Sequence, residues 1–245
     1  TLAADRLHAW RAMLRQADRV VVCSSALSQK VQQTFDCTPV VIHNGIDFAA
    51  FCKMAGAPSQ PLRRTILSVA KFEEKKGQDV LVTAFMMLAD EFIDLDMVLV
   101  GATDSNLLPL RQTCLQLGIE HRVQFRPDLP HHEVARCYAC ANIFVLPSRQ
   151  EPFGIVLLEA GCLALPVVAS AVGGVPEILE DAVTARLVQP DRPDELALAL
   201  RAILEDTAGA QAMGERLRTH VVKNFSWAHA HDLYVQLARP NRQGS

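Results

Sequence analysis

The chain has 245 residues, half of them hydrophobic, with 24 basic and 27 acidic side chains and a net charge of -3. That length accommodates one large α/β domain, or one and a half smaller ones, around a sizeable core. The slightly acidic balance excludes the basic field that holds a nucleic-acid backbone, so no nucleic-acid partner is expected.

Leu7, Trp10, Leu14 and Ala17 recur at helical spacing, and Arg19 to Cys23 then reads as a buried strand. Ala26 to Phe35 reads as helical and Val40 to His43 as extended, and Asn44-Gly45 is a turn able to take positive φ. Met54 to Pro61, with two prolines and no periodic apolar face, reads as a linker and domain boundary. Beyond it, strands near Thr65–Val69, Met97–Val100, Val123–Phe125, Ile143–Leu146, Val167–Ala169 and Ala185–Val188 alternate with helices near Gln78–Ala89, Leu107–Leu117, His132–Cys140 and Ile155–Leu163. Apolar strands joined by crossovers of this length predict an α/β fold, a Rossmann-like parallel sheet with helices on both faces. The tail, Asp194 to Leu204, Ala208 to Asn224 and Ser226 to Leu237, reads as helical with Ser226 an N-cap.

In such sheets ligands bind beyond the carboxyl ends of strands, where helix N-termini present unpaired amides. The stretch SRQEPFGIVLLEAG, from Ser148, lies at such an end. Pro152-Phe153-Gly154 opens a helix, leaving the amides of Phe153, Gly154 and Ile155 free, and Gly154 admits a close anionic ligand. Glu151 sits at the mouth and Glu159 about 7–8 Å further along the axis. One carboxylate suits ribose hydroxyls and the other a sugar, which implies a nucleotide sugar. A blander alternative makes Glu151 a capping carboxylate and Glu159 a solvated helix residue. Val69 to Gly77, reading VAKFEEKKG, follows the first strand of the same sheet. Lys71 and Lys76 there are candidates to clamp a diphosphate and to neutralise charge growing on it as a glycosidic bond breaks, although such a run is also what a solvated loop looks like.

These two segments, with Val41-Ile-His-Asn-Gly-Ile-Asp47 and Val172-Gly-Gly-Val-Pro-Glu177, resemble the group 1 (family 4 type) retaining glycosyltransferases of GT-B fold. The resemblance implies a Glu, seven residues, Glu pattern at Glu151 and Glu159. Glu159 would bind ribose and Glu151 the donor sugar, while the amides after Pro152 would hold sugar and phosphates. It also implies donor contacts from a flexible loop at Gly173-Gly174, with a tight turn the equally economical account. Lys76-Gly77 fits the pattern as it stands. Ala70-Lys71 replaces a Gly-Arg pair, so the first cation is a point charge without a bidentate fork. Ala102-Thr103 and Arg126-Pro127 replace glycine-bearing loops beside the base, and proline removes an amide donor there. On this likeness, residues 1–56 are a remnant of an acceptor domain that is a partial second Rossmann-like domain. Residues 57–225 are the nucleotide-sugar-binding domain, and residues 226–245 are a helix returning toward the N-terminal part, with a tail.

The expected activity is transfer of a sugar with retention from a nucleoside-diphosphate sugar to an acceptor hydroxyl, with catalytic roles for Lys71, Lys76 and Glu151. The acceptor, whether saccharide, lipid or small molecule, is not specified, and no metal or other cofactor is expected. Three alternatives stand beside it: a noncatalytic nucleotide-sugar-binding fragment, a glycoside hydrolase using Glu151 and Glu159, and a sugar-nucleotide epimerase. Cys137 and Cys140, after His131-His132, have metal-like spacing but no second pair, and are expected to be buried thiols. His229 and His231 lie two apart on a helix and face different ways. Seven cysteines, an odd number within mostly apolar segments, point to reduced thiols and a cytoplasmic location. No apolar run approaches the ~20 residues of a span, and the chain's start lacks a signal peptide's apolar core. Arg6, Arg11, Arg15 and Arg19 offer either a peripheral contact with an anionic membrane or a solvated face.

Overall fold

The computed structural model describes residues 2–57 and 62–239. The first segment runs α1 (Leu2–Gln16), β1 (Val21–Val22), α2 (Ser25–Phe35), β2 (Val40–Val41) and α3 (Phe48–Ala55). β1 and β2 pair in parallel, Val21 with Val40 and Val22 with Val41, around the α2 crossover. Ser24 caps α2 through its side chain, which accepts from Leu27 N, and Asp47 caps α3 by accepting from Ala50 N.

The larger body alternates β3 (Arg64–Val69), α4 (Gln78–Ala89), β4 (Leu95–Gly101), α5 (Leu107–Gln116), β5 (Val123–Pro127), α6 (His131–Ala139), β6 (Ile143–Leu146), α7 (Ile155–Cys162), β7 (Val167–Ser170), the single turn α8 (Val175–Ile178) and β8 (Arg186–Val188). Helices α9 (Pro193–Glu205), α10 (Thr207–Asn224) and α11 (Trp227–Ala238) follow. The six strands are all parallel in the order β5-β4-β3-β6-β7-β8, as the alternating pattern predicts. The strand order reverses between β3 and β6, which makes the crevice at their carboxyl ends the topological switch point where ligands bind in such sheets.

Two buried clusters cover the sheet. One gathers Phe85, Leu88, Met97, Val145 and Leu200 beneath α4, α5 and α9. The other gathers Leu67, Tyr138, Phe144, Leu157 and Leu217 beneath α3, α6, α7 and α10. Each fully buried Leu or Phe contributes roughly 1.5–3 kcal/mol relative to its exposed state, so these two layers hold the strand ends in register.

Three readings need correction. Helix α3 was not anticipated, and Met54 and Ala55, assigned to the linker, belong to it. Phe51 and Ala55, four apart, form its buried stripe, with Phe51 edge-on to Tyr138 at 5.7 Å. Residues 58–61 of the expected linker and 240–245 of the tail lie outside the described residues. Cys140 is exposed rather than buried, because it caps α6 on its outward side.

Ser226 caps α11 as read from the sequence, accepting from His229 N at 3.1 Å. The chain entering α11 pairs with the first segment: Ile46 N donates to Phe225 O at 2.9 Å and Trp227 N to Ile46 O at 3.0 Å. No described helix is long and apolar enough to cross a membrane. Of the four arginines near the start, the Arg6 side chain lies outside the described set and Arg11 donates to Thr34 O at 3.4 Å.

Candidate functional site

The loops leaving β3 and β6 meet at the switch point. Arg149 N and Gln150 N donate to Lys75 O at 2.9 and 3.2 Å. The Arg149 guanidinium grips the Asp79 carboxylate through two hydrogen bonds of 2.8 and 2.6 Å and reaches Asp191 at 2.6 Å. Burial pushes the Asp79 carboxyl up, but the Arg149 hydrogen bonds and charge outweigh it, so Asp79 titrates below its ordinary range. This brace fixes the loop after β6 against the turn that precedes α4.

Within that frame Lys76 Nζ donates to Glu151 Oε2 at 2.9 Å, and both side chains are largely buried, 17% and 10% exposed. Ser148 Oγ reaches the same Glu151 oxygen at 3.4 Å. An ion pair this enclosed keeps more of its Coulomb energy than an exposed one. The glycine loop lies on the same spot. Gly174 N donates to Glu151 O at 3.0 Å. Gly173 has φ +53°, and a Cβ there would stand 1.9 Å from Glu151 O, so only glycine permits this approach. Gly154 caps α7 at φ +101°. Among the described residues, the amides of Phe153, Gly154 and Ile155 have no hydrogen-bond partner. Phe153 is buried, whereas Ile155 is 46% exposed at the helix mouth.

Glu159 sits deeper on α7 and is 9% exposed, which overturns the reading of it as a solvated helix residue. Tyr138 OH donates to its Oε2 at 2.8 Å, and His131 Nε2 lies 3.4 Å from Oε1. Burial pushes the Glu159 carboxyl up, opposed in part by Tyr138 and His131. One oxygen is thus anchored by a buried phenol while the other faces an exposed imidazole, leaving acceptor capacity for hydroxyl groups.

Lys71 is arranged differently from Lys76. Its ammonium lies 2.6 Å from Asp104 and 2.7 Å from Glu73 and is 48% exposed. These carboxylates raise the lysine, and Lys71 with Ser105 holds Asp104 down at about 2. Gln78 donates through Nε2 to the carbonyls of Ala70 and Lys71 at 3.3 and 3.1 Å, tying the backbone at Lys71 to the start of α4. Across the sheet edge, Asp128 accepts from Thr103 N and Thr103 Oγ1, tying the loop after β4 to the loop after β5. Pro127 ends the edge strand β5 opposite Gly101, and the next amide, Asp128 N, donates to Gly101 O at 2.9 Å, so the ladder does not use a donor at Pro127.

The structure therefore joins Lys76, Glu151, Gly173, Gly174 and the Phe153–Ile155 amides, sets Glu159 further into the same helix, and engages Lys71 with two acids of its own. Sequence reasoning missed Arg149, Tyr138, His131 and the pair His43–Glu177, which lies 2.9 Å apart. His43 and Glu177 each lie in a segment that carries the family resemblance, but nothing local marks them as partners.

A family model described as glycosyl transferases group 1 matches residues 56–220. A D-inositol 3-phosphate glycosyltransferase from Mycolicibacterium gilvum is 32% identical over 89% of this chain and 50% of its own length. An alpha-maltose-1-phosphate synthase from Mycolicibacterium smegmatis is 31% identical over 94% of this chain and 65% of its own. The chain spans about half the length of the first curated relatives it matches. Among solved structures, a sucrose-phosphate synthase from Thermosynechococcus elongatus superposes with a TM-score of 0.84 at 29% identity, over 96% of this chain and 62% of that one. The Anabaena Alr3699/HepE protein, solved with UDP-glucose, shares the fold, with a TM-score of 0.85 at 22% identity over 94% of this chain and 66% of that one.

Proposed function

Because the chain belongs to the group 1 glycosyltransferases and has the α/β architecture of the GT-B fold, we propose that it binds a nucleoside-diphosphate sugar at the switch point between β3 and β6. We propose further that it serves retaining transfer of that sugar to an acceptor hydroxyl. One observation carries this reading: the Lys76 ammonium, the unpaired amides of Phe153, Gly154 and Ile155, and the Gly173-Gly174 backbone gather around Glu151.

The chemistry follows from the charges. The ammonium of Lys76 has three donors, so it can keep Glu151 and still donate to a phosphate oxygen. As the bond between the anomeric carbon and the diphosphate oxygen breaks, both electrons leave with that oxygen. Lys76 and the α7 mouth then stabilise the growing charge in a partly dry site. The sugar carbon becomes oxocarbenium-like, and the acceptor oxygen attacks on the face the diphosphate leaves while a diphosphate oxygen takes the acceptor proton. Glu159, oriented by Tyr138, receives the ribose hydroxyls, and Glu151 the hydroxyls of the sugar. Lys71 contributes a more distant positive charge, already shared with Asp104 and Glu73. These groups supply the charge neutralisation that leaving-group departure requires, so the proposal includes no metal ion.

Titration calorimetry of the chain with UDP, UDP-glucose, GDP and ADP tests the donor site, run beside donor-hydrolysis and sugar-transfer assays. Binding of one of these nucleotides, weakened roughly 10–100-fold by Glu159→Gln, is expected; no binding of any overturns the proposal. A second reading, a binding fragment without turnover, rests on the chain's spanning about half the length of its relatives. It is favoured if binding is saturable and neither hydrolysis nor transfer occurs.

A further inference from the structure

Glu177, on the single turn α8, sends its carboxylate away from its own helix. Oε2 accepts from Ser25 N at 2.9 Å, Oε1 accepts from Ala26 N at 3.0 Å, and His43 Nε2 lies 2.9 Å from Oε2. These partners stand 134 to 152 residues earlier in the chain. Ser24 Oγ takes the next amide, Leu27 N, at 3.1 Å. The first turn of α2 is thus closed by its own cap residue together with a carboxylate from the larger body, and its amides are occupied.

Across this junction, His43 lies against the site described above. Its ring stacks on Phe153 at 5.6 Å with 25° between planes and meets Phe225 at 5.7 Å. Phe153 is the buried residue whose amide opens α7. Gly174, three residues before Glu177, hydrogen-bonds Glu151 O, and a Cβ on it would stand 3.0 Å from Ser24 Cβ. One carboxylate therefore binds the start of α2, fixes the imidazole that backs Phe153, and anchors the loop that touches Glu151.

We infer that Glu177 is a positioning residue of the donor site: by holding His43 against Phe153 and α2 against Gly174, it fixes the Glu151–Ile155 backbone in the shape that receives the diphosphate. The inference rests on the donor-site reading for its affinity effect, but the mechanical link from Glu177 to Phe153 stands apart from it. Residues 2–47 then contribute to donor affinity through their docking alone.

The test uses the whole chain carrying Glu177→Gln, with His43→Ala as a second, more exposed substitution. Nucleotide affinity is measured with UDP, GDP and ADP well below the melting temperature, so that lost stability alone leaves the affinity unchanged. Amide chemical shifts are followed by nuclear magnetic resonance without ligand. Both variants are expected to weaken the nucleotide that binds by about three- to tenfold. Both are also expected to move the amide resonances of Phe153 and Gly154, and Glu177→Gln those of Ser25 and Ala26. If Ser25 and Ala26 move while Phe153, Gly154 and the affinity stay as in the parent, Glu177 is only an anchor and the inference is overturned. If the parent binds none of the three nucleotides, the functional proposal fails, and the Phe153 and Gly154 resonances alone decide the link.

Discussion

Glu159 is placed for ligand binding at the expense of its own solvation. Its folded pKa lies above the ordinary value because burial disfavours the carboxylate, despite Tyr138 and His131. A raised carboxyl is at its most favourable for stability below the unfolded pKa, and that advantage is lost as pH rises through the folded pKa. Removing the charge should therefore help folding at neutral pH. Glu159→Gln is expected to raise the melting temperature at pH 7, with the gain vanishing below about pH 4. The same change should weaken nucleotide binding roughly 10–100-fold, the loss of a charged hydrogen bond worth about 1.5–3 kcal/mol. Calorimetry and thermal melts at two pH values check both signs. A melting temperature lowered at pH 7 would mean that Tyr138 needs the charge more than burial resents it. The two lysines separate on similar grounds. Lys76→Ala leaves Glu151 enclosed without its cation, costing about 2 kcal/mol of stability, and where transfer is measurable should slow it about 100-fold. Lys71→Ala frees the half-buried Asp104 and leaves Glu73 to Lys75, and should slow transfer less than tenfold. Equal losses from the two would show the paired clamp expected from sequence rather than the asymmetry seen in the structure.

At the level of elements, the site is a meeting of three loops, and the glycine loop is the tightest of them. Gly173 and Gly118 both have positive φ, +53° and +70°. A Cβ on Gly118 meets nothing within 4 Å, whereas one on Gly173 strikes Glu151 O. Gly118→Ala should cost about 1 kcal/mol, the strain of the left-handed region alone. Gly173→Ala should cost about 3 kcal/mol and also displace the Glu151 backbone. Denaturant melts of the two variants, compared with nucleotide affinity, separate strain from contact; equal costs would mean the loop yields freely. The same contrast explains what was legible in the sequence. The strands and helices of the larger body announce themselves by period, as do Glu151, Glu159, Lys71 and Lys76 by their place after strands. Helix α3 hid because its stripe is only Phe51 and Ala55, too short for periodicity to register. Arg149, Tyr138 and His43 were illegible for another reason. Each matters through a partner that tertiary packing brings from 21 to 134 residues away, and no local spacing encodes such a meeting.

For the whole molecule, the question is whether the first segment and the larger body behave as one unit. Glu177 ties α2 to α8, and Ile46 is hydrogen-bonded on both sides by the chain entering α11. The core layer beneath α3 and α6 mixes Phe51 and Ala55 with Tyr138 and Leu157. Contacts of this kind couple unfolding, because losing one segment leaves buried carboxylate and apolar surface on the other. A nucleotide bound near Glu151 should then stabilise all of the described chain, not its own loops alone. At a concentration 100 times its dissociation constant, a ligand specific for the folded state adds about 2.7 kcal/mol. For a chain of this size that is a rise in melting temperature of roughly 5–10 °C. Differential scanning calorimetry with the best-binding nucleotide is expected to give one transition that moves as a whole by that amount. Two transitions, with only the upper one moving, would show that residues 2–47 melt away from a donor site able to stand without them, and Glu177 would then have no means of reaching the nucleotide.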